Sequence, residues 1–531
     1  MAVALDELTT QVSPSLTALE PIAPLPSSRH DHAPVLDALR AFTAAGTTSY
    51  SSPGHKLGIG ASADLRDLLG EKIFAADVWL NTSDYAATVA AAEDLAAAAW
   101  GADRSFFLVN GSSSGNHALL LATLGPGDEV VIGRDVHTSL LTALVLTGAR
   151  PVWVAPRLHP DLDIGLGLDP RDVAAALDAH PAAKLVVLVS PTYWGIASDI
   201  PAIVEVAHAR GVPIYVDEAW GPHFPFHPAL PPSAMASGAD AAVTSPHKLL
   251  AGLSQAALLN IQGPYLDSAR VAATVKMGQT TSPLLPILAS LDAARRQMTR
   301  DGTALLDRTL HLAAIARRRL KALPGIDVLD AADLGLPRSR HDPTRLVIDV
   351  GRLGLTGMEA EHLLRTRFAI ASEMSDLRGV VCLITIGDTP ESIARLVAAF
   401  TTLALEDRGP IVRPIDTLRS AGEVMRPTDQ VLTPREAFFA QSRAISLRSA
   451  VGEVAAELVV PYPPGVPVLA PGEVISAAKV EYLQEIVARG GLVRGAADPT
   501  LATVRIVTPQ LAPRIAPLIL TTFRNRRETS A

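Results

Sequence analysis

The chain has 531 residues, 48% of them hydrophobic and 19% charged, which excludes a disordered or fibrous protein and supplies apolar material for several packed cores. Its formal net charge of −8 at pH 7 argues against a general binder of nucleic-acid backbones. The single cysteine, Cys382, excludes an intrachain disulfide and a cysteine-cluster metal site, and within GVVCLITIG it reads as a small buried hydrophobe.

At roughly 150 residues per domain, the length implies about three domains. Residues 1–32 are rich in Pro, Ser and Thr and read as an extended arm. The arm is acidic early and lacks a basic leader, so no secretory signal is expected. Nor does any apolar run approach the roughly 18 residues a membrane span needs. A soluble, cytoplasmic protein with no membrane partner is the expectation. Residues 33–45 (APVLDALRAFTAA) predict a helix, followed by the loop SPGHKLGIG.

Between about 86 and 265, helical stretches alternate with short β-rich runs: SFFLV (105–109), EVVIG (129–133), PVWVA (151–155), KLVVLVS (184–190), PIYVDE (213–218) and AAVTS (241–245). This alternation predicts an α/β unit whose mostly parallel sheet is covered on both faces. In such sheets ligands sit beyond the carboxyl ends of the strands. From about 290 to 405 a long helical stretch leads to strands at RLVIDV and GVVCLITIG and a helix at TPESIARLVAAFTTLAL, a smaller α+β unit. EDRGPIVRPID (406–416) reads as a linker, and a third segment contains the Pro-rich PYPPGVPVLAPGE (461–473). The expected division is an arm and helix at 1–50, a large domain at 51–295, a small α+β domain at 296–410 and a C-terminal α+β domain at 411–531.

Three strand-end loops carry chemistry. In VNGSSSGNHA (109–118), serines open a helix, where free N–H groups and hydroxyls suit a phosphate; ordinary N-capping is the plainer alternative. In VDEAWGPHFPFH (216–227), Asp217 follows an apolar run and is placed to hold a protonated ring nitrogen, unless it merely caps or faces solvent. In TSPHKLLAGLSQ (244–255), Lys248 stands in an otherwise uncharged loop beside His247. A Lys withdrawn from water has a lowered amine pKa, which favours Schiff-base chemistry; a solvated surface Lys is the alternative. Phosphate cradle, strand-end acid and Lys, in that order, are the parts that pyridoxal 5′-phosphate (PLP) requires.

With these residues the chain resembles the Orn/Lys/Arg decarboxylase family, PLP enzymes of the aspartate-aminotransferase fold. The matching pieces are SPGHKLG (52–58), ADRSFFLVNGSSSGNHA (102–118), VSPTYWGIASDI (189–200), VDEAWGPHF (216–224), SPHKLLAGLSQ (245–255), QTTSPLLPILASLD (279–292), SEMSDLRGVVCLITIGDT (372–389) and PYPPGVPVLAPGE (461–473). The resemblance implies that Lys248 forms the internal aldimine and that Asp217 pairs with the pyridine nitrogen. It implies that His137 stacks on the ring and that Ala219 and Trp220 border it. Ser112, Ser113 and Ser114 would line the phosphate with Ser245 and His247, while Thr281 and Ser282 would reach it from a neighbouring subunit, making a homodimer. No metal is implied.

The implied reaction is decarboxylation of lysine, arginine or ornithine, as in polyamine synthesis, with His247 or Lys248 returning a proton to Cα. The distal amine needs an acid; Asp84, Glu457 and Glu473 are the candidates. Pro246 stands where the family usually has Ser or Thr, and DVWLNTSDYAAT (77–88) departs from the family's pattern beside the site, which opens the substrate question. Only about 50 residues precede SPGHK, too few for the receiver-like domain of the family's long members. Transamination, elimination or oxidation on the same parts are the alternatives, with a non-catalytic regulatory homologue behind them.

Overall fold

The computed structural model describes residues 28–78, 85–160, 162, 164–406, 424–462 and 465–508. Most of the expected arm, most of the expected linker and Asp84 lie outside these residues. Seven strands form the central sheet: β1 (Arg104–Leu108), β2 (Glu129–Gly133), β3 (Arg150–Val154), β4 (Val186–Val189), β5 (Ile214–Glu218), β6 (Ala241–Thr244) and β7 (Ala257–Ile261), in the order β1-β7-β6-β5-β4-β2-β3. Strands β2 to β6 pair in parallel, and β7 runs antiparallel between β1 and β6. The six anticipated strands all form. β7 is not anticipated, because ALLNI shows no alternation and only its long-range pairing marks it as a strand.

The inner parallel strands β4, β5 and β6 are buried along their length, as in VVLV of β4 and AAVT of β6, because helices cover both faces. Leu119 and Leu120 of helix Gly111–Thr123, with Leu140 and Leu144 of helix Thr138–Thr147, pack on one face. Val173, Leu177, Ile203 and Ala207 of helices Pro170–Ala179 and Ile200–His208 cover the other. The chain leaves β2 towards β3 and returns to β4 on the opposite side of β2. This reversal opens a crevice at the carboxyl edge, where a ligand site is expected.

A single helix, Leu285–Lys321, crosses from this unit to the next, so the boundary expected at 295 falls inside it. Its Leu288, Leu291 and Met298 belong to the large unit's core, while Leu312, Ala316 and Leu320 belong to the small unit's. Near its start, Asp292 accepts the Val35 N–H at 2.9 Å. That carboxylate serves the N-terminus of helix Pro34–Ala44, whose own N-cap residue, Ala33, has no side-chain oxygen to offer.

The small unit is an antiparallel sheet of β8 (Asp327–Leu329), β9 (Arg345–Asp349), β10 (Met374–Ser375) and β11 (Gly379–Leu383), ordered β10-β11-β9-β8. Cys382 is buried in its core, where burial pushes the thiol up to about 12 and leaves it inert. The C-terminal unit has two antiparallel pairs, β12 (Ser442–Ser446) with β15 (Thr503–Val507) and β13 (Val460–Tyr462) with β14 (Leu492–Arg494), and helix Ala477–Ala488. Its PGE turn demands Gly472: at φ 90° a side chain there would meet the Leu432 carbonyl oxygen at 2.2 Å. Among the described residues no helix is long and apolar enough to cross a membrane.

Candidate active site

The carboxyl ends of β1, β2, β5 and β6 bring four loops together. Asp217 closes β5 and is buried. Its Oδ2 accepts from Asn116 Nδ2 at 2.9 Å and its Oδ1 from the Ala219 N–H at 3.2 Å. Asn116 is fixed in turn: its Oδ1 accepts the Tyr215 hydroxyl at 2.5 Å, and its second Nδ2 proton goes to Ser139 Oγ at 2.8 Å. Ser139 lies 2.8 Å from His137 Nδ1, which also accepts the Ser139 N–H and so caps helix Thr138–Thr147. Nδ1 is therefore the unprotonated nitrogen, with the ring proton on Nε2. Burial lowers the His137 pKa, and its ring senses the charges of both Asp217 and Lys248.

Lys248 follows β6 on the short turn Pro246–Leu249, where Pro246 occupies the first helical position and loses no hydrogen bond by lacking an N–H. The Lys248 amine lies 3.8 Å from the centre of the Trp220 ring and makes no hydrogen bond or ion pair among the described residues. Its pKa is brought down to about 8, chiefly by burial and with Arg345 adding to the fall, while Asp217 and Glu373 oppose it. Beside it, His247 Nδ1 donates to the Ala256 carbonyl at 2.6 Å, leaving Nε2 with the lone pair, and burial lowers its pKa.

Arg345, at the start of β9, enters from the small unit and is fully buried. Its guanidinium stacks 4.4 Å from the Trp220 ring centre and reaches the carbonyls of Trp220 and Tyr193 at 3.3 and 3.4 Å. Asp342, 3.6 Å from Arg345 Nε and 3.2 Å from His223 Nε2, is held far below the usual carboxylate range by these two neighbours and by Thr344. Gly195 makes room for the arginine; a side chain there would come within 2.5 Å of Arg345 Cγ.

The loop expected to take a phosphate opens helix Gly111–Thr123. Its N-cap residue, Asn110, makes no side-chain cap, and Gly111 turns the chain at φ 69°. The Gly111 N–H goes to the Gln255 carbonyl at 2.8 Å, and the N–H groups that follow it and the Ser112 and Ser113 hydroxyls are left open to a ligand. Ser114 differs, since its hydroxyl donates to the Gly111 carbonyl at 2.8 Å. Ser245 is buried with no partner for its Oγ. An orphaned hydroxyl, an uncapped helix start, an oriented carboxylate and an unpaired amine together fit a cofactor with a phosphate, a ring nitrogen and an aldehyde.

Thr281 and Ser282 are exposed, on a connection that Gln279 ties to the end of β1 through the Phe107 carbonyl and the Val109 N–H. Two expected substrate carboxylates are otherwise engaged. Glu457 accepts the N–H groups of Ala497 and Arg505, both at 2.7 Å. Glu473 is buried between Arg134 and Lys479, at 2.8 and 3.0 Å. Both therefore serve the packing of the C-terminal unit. Sequence reasoning misses Asn116, Tyr215, Ser139 and Arg345. An Asn inside the apolar helix run NHALLLATL was the one available signal.

The Orn/Lys/Arg decarboxylase major-domain model matches residues 33–336, and the C-terminal-domain model of the same family matches residues 421–491. An arginine decarboxylase of Bacillus subtilis is 38% identical over 494 residues, covering 91% of this chain and 99% of that one. A second, from Halalkalibacterium halodurans, is 37% identical, covering 90% and 98%. The lysine decarboxylase LdcF of Francisella novicida superposes with a TM-score of 0.76 at 21% identity, over 90% of this chain and 82% of that one. The chain belongs to the Orn/Lys/Arg decarboxylase family.

Proposed function

We propose that this decarboxylase acts on a basic amino acid, arginine foremost, with PLP held on Lys248, and that it works as a cytoplasmic homodimer. The observation that carries the reading is the unpaired, desolvated Lys248 amine set over Trp220 and opposite an Asp217 oriented by Asn116. Arginine comes first because the two closely similar relatives named above are arginine decarboxylases. The exposed Thr281 and Ser282 are available to a second copy's phosphate site, and a sole, buried cysteine suits a reducing compartment.

When bound, PLP supplies an electron sink for the pair of electrons left by departing CO2. The chain's residues do the remainder. Lys248 Nζ, with a pKa of about 8, has a substantial neutral fraction for attack on an aldehyde near neutral pH. Asp217, held by Asn116 and Ala219, keeps its carboxylate aimed where a protonated ring nitrogen belongs. His137 and Trp220 wall the ring space, and the helix start at Ser112 and Ser113 takes the phosphate. Lys248 Nζ returns a proton to Cα more readily than His247 Nε2, because the buried His247 resists protonation.

Incubating the purified protein with PLP and a panel of amino acids, then identifying products by mass, tests the proposal. Agmatine and CO2 from arginine are expected. A keto acid in place of an amine would overturn it.

A further inference from the structure

We infer that Arg345 is a positioning residue for the chemistry of Lys248: a buried cation from the small unit that holds the Trp220 ring against the Lys248 amine and disfavours a second positive charge there. The inference rests on the reading of Lys248 as the residue that takes the cofactor's aldehyde. Two cations lie over one indole, the Lys248 amine 3.8 Å and the Arg345 guanidinium 4.4 Å from the centre of the Trp220 ring. A ring face attracts a cation, and here the arginine already draws on that attraction.

The arginine is fixed in place. Backbone bonds stitch the chain before it to the large unit: the Asp342 N–H donates to the Gly195 carbonyl at 2.8 Å and the Ala197 N–H to the Arg340 carbonyl at 2.9 Å. The side chain then runs through the space that Gly195 leaves, without solvent exposure, and its terminal nitrogens donate to the Tyr193 and Trp220 carbonyls. The Tyr193 ring braces the same indole in an edge contact, ring centres 5.7 Å apart.

Its charge is only loosely compensated. The two carbonyl bonds are 3.3 and 3.4 Å long, and Asp342 stands 3.6 Å away on the Nε side. Arg134, also buried, is held by bonds of 2.6, 2.8, 3.0 and 3.1 Å. Asp342 is shared with Thr344, whose N–H and hydroxyl reach it at 3.0 and 2.6 Å, and with His223 at 3.2 Å. The Asp342–Arg345 pair is therefore a fixed dipole with its positive end at the Trp220 ring. In a site withdrawn from water that charge acts on its neighbours with little screening.

The charged and titratable groups that face Lys248 are Asp217 on β5, Glu373 before β10, His137, His247 and Arg345. The two carboxylates favour the ammonium, whereas burial and Arg345 favour the free amine that attacks a carbonyl. Arg345 itself faces Asp342 and Glu373.

The test follows the rate at which the apo protein takes up PLP from neutral to alkaline pH, trapping the product with borohydride and locating it by peptide mass. Arg345→Met should raise the midpoint from near 8 by about one pH unit, which slows uptake about 10-fold at neutral pH. The double variant Asp342→Asn with Arg345→Gln removes the buried pair as a whole, leaves no lone buried carboxylate, and should raise the midpoint by less. Arg345→Lys should keep the midpoint close to that of the unchanged protein. Urea unfolding shows which variants are folded. A near-UV circular dichroism difference between Arg345→Met and the unchanged protein should vanish in a Trp220→Phe background; a difference that persisted would overturn the role given to Trp220. An unmoved midpoint in a folded Arg345→Met or double variant would overturn the inference. An Arg345→Lys shift as large as that of Arg345→Met would do the same, since packing would then be the arginine's whole role. Attachment at a lysine other than Lys248 in the unchanged protein would instead bring down the reading of Lys248, and the inference with it.

Discussion

Two buried lysines in this protein carry the same perturbation and serve opposite ends. Burial lowers Lys248 and Lys479 alike to about 8, and each has an arginine and a glutamate nearby. Lys479 donates to Glu473 Oε2 at 3.0 Å and to Thr428 Oγ1 at 3.1 Å. Glu473 also takes Arg134 through both oxygens and the Ala470 N–H. Two further Arg134 donors go to the Pro467 and Val468 carbonyls. This cluster is satisfied, and it ties the C-terminal unit to the end of β2. Around Lys248 the reverse holds: its own amine has no hydrogen-bond or ion-pair partner among the described residues, and Ser245 Oγ is buried without one. A shifted pKa alone does not separate a strut from a reactive group; the state of hydrogen bonding does.

The comparison breaks first at Lys248. Lys248→Ala should lower turnover on the order of 10⁴-fold or more, as deletion of a covalent nucleophile does, without lowering the urea midpoint of the apo protein. An active variant would remove Lys248 from the chemistry. Glu473→Ala should do the opposite. It leaves Arg134 and Lys479 buried without a counter-charge and should cost about 3–5 kcal/mol in urea unfolding, with KM for arginine unchanged. A selective rise in KM would restore Glu473 as a substrate residue.

Asp217→Asn keeps the shape and removes the charge, and should reduce turnover on the order of 10²- to 10³-fold by analogy with other electrostatic partners of a transition state. Steady-state kinetics with arginine measures it. The smallest effects concern pH. Both lysines have folded pKa values below the ordinary 10.5, so between about 8 and 10.5 the unfolded chain binds more protons. The stability of the apo protein should therefore rise with pH through that window and fall back as pH drops towards 8. Lys479→Met should flatten part of this rise, as read from urea unfolding at several pH values. The rate at which apo protein takes up pyridoxal phosphate should climb with a midpoint near 8 if the free Lys248 amine is the attacking group.

Much of the candidate site was legible because an α/β sheet orders its chemistry along the chain. Asp217 and Lys248 each follow a short apolar run, and the serine turn follows another, so their placement at one sheet edge comes from strand ends alone. His137 was legible only through the family resemblance. The partners that orient these groups were not legible: Asn116 reaches Asp217 across 101 residues, and no spacing rule connects them. Glu457 and Glu473 were named as candidate substrate acids because a carboxylate's sequence neighbours give no sign of the buried cations or amides it will meet.

By itself the sequence determined the alternation of strands and helices, the parallel sheet, and the chemical kinds needed at its edge, because periodicity and strand-end position are local properties. The tertiary structure decided which charges are left unsatisfied. Long-range packing brings Arg345 against Trp220 from a separate unit, inserts β7 between β1 and β6, and buries Glu473 between two cations. Whether a buried charge is reactive or structural depends on partners distant in the chain, and only the folded packing supplies them.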